Sequence, residues 1–360
     1  MKKSRYFKSH ALGCGTGNSA SLSKQSSGRK NAIYFFLALL HLSFGVACTD
    51  LNEELRGETN RGNLGSANPQ ALLDGLYLTM RGPYQGPWSW WALQQLTSDE
   101  AIPPTRGGDW ADNGAWRALY LHRWQLDHTT IDGVFRVLNS VSYAATDLLT
   151  FSPNEQQAAE ARFVRAYVQF DILSGWGQVP YREPAESVVG LSRVRQAEEQ
   201  IEYLRNELQE ILPILSNNGS ARANPDAARY LLMKLFLNKG MLLNRANPTF
   251  DATDMDEVIR LADEIIGSGR YSLEDDYFAN FAVDNHNSSE LIFASANAAG
   301  ENAGGLSNFW RVTTHMHMNP SGLNGFTTLS DVYDRFEEGD QRRGGTYPGM
   351  TDVAGVHIGF

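Results

Sequence analysis

The stretch FSPNEQQAAEARFVRAYVQFDILSGWGQVPY, residues 151–181, decides how the rest of the chain is read. Ser152, Pro153 and Glu155 make the pattern of a capping box with proline in the first turn. Ala159, Phe163, Ala166, Tyr167, Phe170 and Leu173 follow at helical spacing on one stripe, and Gly175 and Gly177 end the run. The spacing predicts an amphipathic helix whose aromatic stripe meets other helices, with Gln169 lying off that stripe.

Working outward, the same period recurs. Asn68 and Pro69 open NPQALLDGLYLTMRG as a cap and a first-turn proline, and a helical pattern spans 130–149. Downstream, Ile201, Leu204, Leu208, Ile211 and Leu215 repeat in an a/d pattern. Asn224 and Pro225 open a helix carrying Ala228, Leu231, Leu232, Leu235 and Phe236 up to Gly240. Val258, Leu261, Ala262 and Ile265 mark another over 254–267. Short helices with small contact residues and short connections predict stacked hairpins of the tetratricopeptide kind, with a degenerate period. Residues 81–125 interrupt them as an irregular aromatic segment. After 271 glycine, asparagine and serine become dense, ELIFAS (290–295) reads as a short strand, and the chain stops at TYPGMTDVAGVHIGF. The expectation is a mainly α fold. A helical scaffold over 69–275, with the aromatic insertion at 81–125, precedes a loop-rich lobe of little strand over 276–360 that lacks its C-terminal part.

The first 47 residues differ in kind. They carry Lys2, Lys3, Arg5, Lys8, Lys24, Arg29 and Lys30 but no acid, and lead into AIYFFLALLHLSFGVAC at 32–48. A basic lead, a short apolar run broken by His41 and Ser43, and small Gly45, Val46 and Ala47 predict a secretory signal over 1–47. A spanning helix would need about 20 apolar residues. GVAC resembles the bacterial lipobox, with Gly45 where leucine is usual, and predicts lipidation of Cys48. Cys14, the other cysteine, leaves with the signal, so Cys48 has no disulfide partner. Residues 48–68, polar and bearing Gly57, Gly62 and Gly65, read as a flexible tether. Of 31 basic residues seven leave with the signal, so 24 stand against 41 acidic ones, a net charge of −17. That balance excludes nucleic acid as a partner.

AEARFVRAYVQFDILSGWGQVPY resembles the signature helix of the SusD/RagB family, surface lipoproteins that capture nutrients for outer-membrane transporters of Bacteroidota. IEYLRNELQEILPIL, AARYLLMKLFLNKG, VIRLADEIIGSGRYSLEDDYFANF, SSELIFAS and GLNGFTTLSDVYDRFEEGDQRR resemble the family's following elements, in order. With the lipobox, the likeness spans residues 44–343. The resemblance implies a SusD-like α/α superhelix of four tetratricopeptide-like hairpins under a loop-rich lobe. It implies a non-catalytic lipoprotein held in the outer membrane by its lipid anchor and exposed at the cell surface. There it would form a lid on a SusC-type TonB-dependent transporter, with the ligand site, mostly for glycans and sometimes for peptides or other nutrients, on inserted loops. Family members usually extend well past this length.

Trp88, Trp90, Trp91, Trp110, Trp116 and Trp124 all fall within the insertion. Tryptophan is mostly buried in folded proteins, so the simplest reading is an apolar skirt over the scaffold. Trp90 and Trp91 are neighbours, however, and cannot both face one core. An indole face also stacks on the C–H face of a sugar, whose hydroxyls need donors and acceptors close by. TRGGDWADNGAW supplies Arg106, Asp109, Asp112 and Asn113 beside Trp110 and Trp116, although such Asp and Asn also make turns on their own backbone. The candidate glycan-binding set is therefore Trp88, Trp90, Trp91, Arg106, Asp109, Trp110, Asn113 and Trp116, with Trp310 further along.

The alternative is a glycan-acting hydrolase using carboxylates of the 99–112 loops. Asp99 and Glu100 are sequence neighbours, whereas catalytic pairs need about 5–9.5 Å between them across a sugar bond. His315 and His317 in THMHMNP read as one face of a strand, but two ligands are not a metal site. No nucleophile-elbow, zinc-protease or phosphate-loop pattern follows Cys48, so no cofactor is expected.

Overall fold

Six helices in chain order build the scaffold: α1 (Pro69–Tyr84), α4 (Thr129–Leu148), α5 (Glu155–Trp176), α6 (Ala197–Ile211), α7 (Pro225–Leu243) and α8 (Ala252–Gly267). Two short helices, α2 (Trp90–Gln95) and α3 (Ala115–Tyr120), lie in the segment between α1 and α4. The computed structural model describes residues 67–298, 304–319, 321–343, 346–352 and 357–359. The expected signal, Cys48 and the tether up to residue 66 lie outside the described residues, as does the side chain of Trp310.

Each long helix lies against its neighbours in the chain: α4 on α1 and α5, α5 on α6, α6 on α7, and α7 on α8. This is the stacked-hairpin arrangement that the periodicity implies. The scaffold is mainly helical, as expected. Between α5 and α6, β1 (Gln178–Tyr181) and β2 (Arg193–Gln196) form an antiparallel hairpin with Gln178 opposite Gln196 and Tyr181 opposite Arg193. Beyond α8 come α9 (Leu306–Thr313), β3 (Met318–Asn319), α10 (Ser330–Tyr333), β4 (Thr346–Asp352) and β5 (His357–Gly359). The three strands make a small antiparallel sheet in the order β3-β4-β5. Among the described residues, no helix is long and apolar enough to cross a membrane.

The helix in the opening stretch is more central than a single stripe predicts. Besides its neighbours α4 and α6, α5 touches α1 and α7, and it buries Ala161, Val164, Val168 and Ile172 as well as the expected Phe163, Ala166, Phe170 and Leu173. A helix enclosed on all sides must also enclose its polar residues, each of which then needs a partner. Glu160 accepts from Tyr77 Oη at 2.8 Å and Gln156 Nε2 at 2.9 Å, and Arg165 pairs with Glu207 of α6. Gln169, expected off the packed face, is only 1% exposed. Its Nε2 donates to Ser142 Oγ at 3.0 Å, and its Oε1 accepts from Gln200 Nε2 at 3.0 Å. The stripe was placed correctly, but α6 covers the opposite face too.

Three local expectations change. The cap of α5 is Asn154, whose Oδ1 accepts from Gln157 N at 2.9 Å while Gln157 Oε1 accepts from Asn154 N at 3.0 Å. Ser152 sits two residues earlier at φ 53, reversing the chain after the 3-10 turn Leu149–Phe151, so it is a turn residue rather than the cap. ELIFAS is not a strand. Asn224 Nδ2 donates to Ile292 O at 2.9 Å, and Ile292 and Phe293 pack on the scaffold core as a loop. Residues 81–125 are less irregular than their composition suggests, because α1 runs on through Tyr84 and α2 and α3 follow.

Candidate functional site

The aromatic segment is fastened to the scaffold at its root. Where α1 ends, Tyr84 Oη donates to Asp171 Oδ2 at 2.6 Å on α5. Burial pushes the Asp171 carboxyl up to about 6, partly opposed by the Tyr84 hydrogen bond and the Lys234 charge. Burial and the adjacent carboxylate also hold the Tyr84 phenol well above its ordinary value. Six residues on, Trp90 is 8% exposed and stacks on Trp176 with ring centroids 6.0 Å apart. Gly175 makes this fit possible: a Cβ there would lie 3.2 Å from the Trp90 ring. Trp90 therefore belongs to the main core.

Its neighbour Trp91 points into a second, smaller core. Trp91 stacks on Phe326 at 5.5 Å and meets Phe309 edge-on at 5.4 Å. Trp116, 8% exposed, meets Phe326 at 5.6 Å, and Trp110 lies 5.2 Å from the same ring. Phe326 is thus the hub on which three tryptophans converge. The 102–327 bridge closes this core, with Ile102 N donating to Thr327 O at 2.8 Å and Thr327 N to Ile102 O at 2.9 Å. The adjacency argument holds in this form: two neighbouring indoles serve two different cores.

Trp110 is held in a costly backbone conformation. Its φ is 60, with Asp112 and Asn113 at 36 and 52. Asparagine tolerates the left-handed region, but a bulky residue there is a true outlier, costing on the order of 1–3 kcal/mol. The indole is fixed by Nε1 donating to Leu323 O at 2.9 Å, and it lies so close to Gly325 that a Cβ there would come within 2.4 Å of the ring. Only glycine permits that approach.

What remains outside both cores is a small outward surface. Trp88 is 42% exposed, and its ring lies 6.3 Å from Trp110 at an interplanar angle of 33°. Beside Trp110, residues 106 and 109 close a tight turn through Arg106 N to Asp109 O and Asp109 N to Arg106 O. Arg106 Nη1 donates to Asn324 O at 2.7 Å, which orients its exposed guanidinium. The Asp109 and Asn113 side chains are exposed. Asp112 instead accepts from Trp116 Nε1, so it braces the second core. The scaffold clefts lined by Asn139 and Tyr143 and by Tyr77 and Arg222 include none of these tryptophans. This surface offers an open indole platform, Trp88, together with the exposed Arg106, Asp109 and Asn113 on either side of Trp110 in the chain.

The remaining candidates lie apart from it. Asp99 and Glu100 are exposed in a turn where Glu100 N donates to Ser98 Oγ at 3.1 Å. Trp124, 44% exposed, sits beside His122 at 5.8 Å. His315 and His317 occupy a turn rather than a strand, since Met318 N closes on His315 O at 3.0 Å; their rings meet edge-on at 4.9 Å. Among the described residues no group of three or more His, Cys, Asp or Glu is placed to hold a metal ion. Sequence reading missed Phe309, Gly325 and Phe326, which lie some 200 residues from the tryptophans they organise and carry no local signal of that role.

Against known structures the chain aligns with surface glycan-binding protein A from Bacteroides fluxus at 20% identity and TM-score 0.57, over 80% of this chain and 66% of that one. The corresponding protein from Bacteroides thetaiotaomicron, solved in complex with laminarihexaose, aligns at 16% identity and TM-score 0.60, over 76% and 62%. A laminarin-binding SusD-like protein aligns at 19% identity and TM-score 0.56, over 76% and 64%. The fold is SusD-like. This chain spans just under two thirds of the length of those SusD-like structures. No protein-family model and no curated protein matches the sequence.

Proposed function

We propose that this SusD-like chain is a surface lipoprotein, anchored in the outer membrane through Cys48, that binds a glycan without cleaving it and delivers it to a SusC-type TonB-dependent transporter. The observation that carries the reading is the exposed Trp88, paired with Trp110 on a segment that also exposes Arg106, Asp109 and Asn113, on a fold shared with proteins named as surface glycan-binding and laminarin-binding. An indole face offers the apolar partner for a sugar's C–H face, and the charged and amide side chains offer partners for its hydroxyls. Trp90, Trp91 and Trp116 are left out of the ligand surface, because their rings are already committed to the two cores.

Calorimetric titration of the protein with a glycan panel that includes laminarin oligosaccharides tests this. One class of glycan should bind, and Trp88→Ala should weaken it about two- to tenfold, the loss of one stacked ring at about 0.5–1.5 kcal/mol. Unchanged affinity in Trp88→Ala would remove the platform from the site. New reducing ends appearing during the titration would replace the binding reading with the hydrolase.

A further inference from the structure

A second polar cleft lies on the scaffold between α4 and the β1–β2 hairpin, away from the tryptophan platform. Its inner part measures about 150 Å³ and runs on into a more open trough of about 600 Å³, both lined by Asn139, Tyr143, Pro180 and Ser192. The floor is Ser142 of α4, 6% exposed. A relay fixes what this hydroxyl can do. Gln200 donates to Gln169, and Gln169 in turn donates to Ser142 Oγ, so one of the serine's two acceptor positions is taken by the protein and its own proton is left to give. Asn139 completes a complementary pair: its Nδ2 donates to Phe135 O at 2.8 Å, which leaves Oδ1 to accept.

The walls are rigid and apolar on one side. Tyr143 presents a ring 41% exposed. Opposite, Tyr181 is pinned by Arg195, whose guanidinium lies 3.5 Å from its ring and 3.9 Å from that of Tyr203. The cations at the mouth are already engaged. Arg136 pairs with Asp132 at 2.7 Å, and Arg182 donates to the carbonyls of Ser187 and Gly190. A donor and an acceptor side by side, an aromatic face, and cations held by other partners select a neutral polyol over an anion.

We propose that the cleft between α4 and the β1–β2 hairpin is a second binding site that takes one neutral hexose ring, with Ser142 donating to a hydroxyl, Asn139 accepting from its neighbour and Tyr143 covering the C–H face. The site does not depend on the tryptophan platform.

The test is saturation-transfer NMR on the full-length protein carrying Trp88→Ala, so that the platform is disabled. Glucose, galactose and mannose are the probes, with glucuronate and galacturonate as anionic matches. At least one neutral hexose should show transfer, and its uronate should show several-fold less. Adding Ser192→Trp, which fills the trough from an exposed position, should reduce the signal about tenfold, with an unchanged melting temperature verifying the fold. Ser142→Ala should reduce it while leaving the Tyr143 ring in place. Transfer lost already in Trp88→Ala would assign all binding to the platform and overturn the second site. So would transfer unaffected by Ser192→Trp, or a preference for the uronates.

Discussion

Replacing Asp171 with asparagine should make the protein more stable at neutral pH. Asp171 is buried on α5 and accepts from Tyr84 at 2.6 Å, and burial raises its carboxyl from an ordinary 3.8 to about 6. The folded state therefore binds this proton more tightly than the unfolded state does. The resulting stabilisation is complete below about pH 4 and is lost as pH rises through about 6. Two pH units correspond to about 3 kcal/mol, the penalty of carrying the buried charge at pH 7.5. Asparagine keeps the shape and the acceptor for Tyr84 but never ionises. Urea unfolding of both proteins between pH 4 and 8 should give similar stabilities at the acid end. The asparagine variant should gain through pH 6 and lead by about 3 kcal/mol at pH 7.5, or roughly 6 °C in melting temperature. All other titrating groups are common to both proteins and cancel in the difference. Parallel profiles, or a wild type that is the more stable at pH 7.5, would show that Tyr84 and Lys234 outweigh burial and would refute the reasoning.

Trp90→Ala should lower stability by about 3–5 kcal/mol because it empties the space between Gly175 and Trp176, whereas Trp88→Ala should change it by less than about 1 kcal/mol; equal melting temperatures would refute the division between core and platform. Gln169→Ala should cost about 1–3 kcal/mol by stranding Gln200 and Ser142, and chemical denaturation showing no loss would mean that the relay is not formed. Cys48→Ala should release the protein from membranes and abolish acyl labelling, and continued membrane association without wild-type labelling would exclude the anchor.

The sequence by itself determined the scaffold. Helix positions followed from apolar spacing in 151–181, 201–215, 224–240 and 254–267, and from Asn68 with Pro69, because period and caps are local properties of a few adjacent residues. It also concentrated the tryptophans in one segment and showed that Trp90 and Trp91 must face different ways. Which indole is covered was decided by tertiary structure. Phe309 and Phe326 return from more than 200 residues away to close over Trp91, Trp110 and Trp116, and Gly175 admits Trp90, leaving Trp88 outside. The same holds for Gln169 and Asp171, whose burial depends on α6 and α1 arriving on faces that no periodicity within α5 reveals. Exposure is a property of what packs against a residue. Partners distant in the chain leave no mark in the local pattern, so the elements could be read from the sequence and the surface only from the fold.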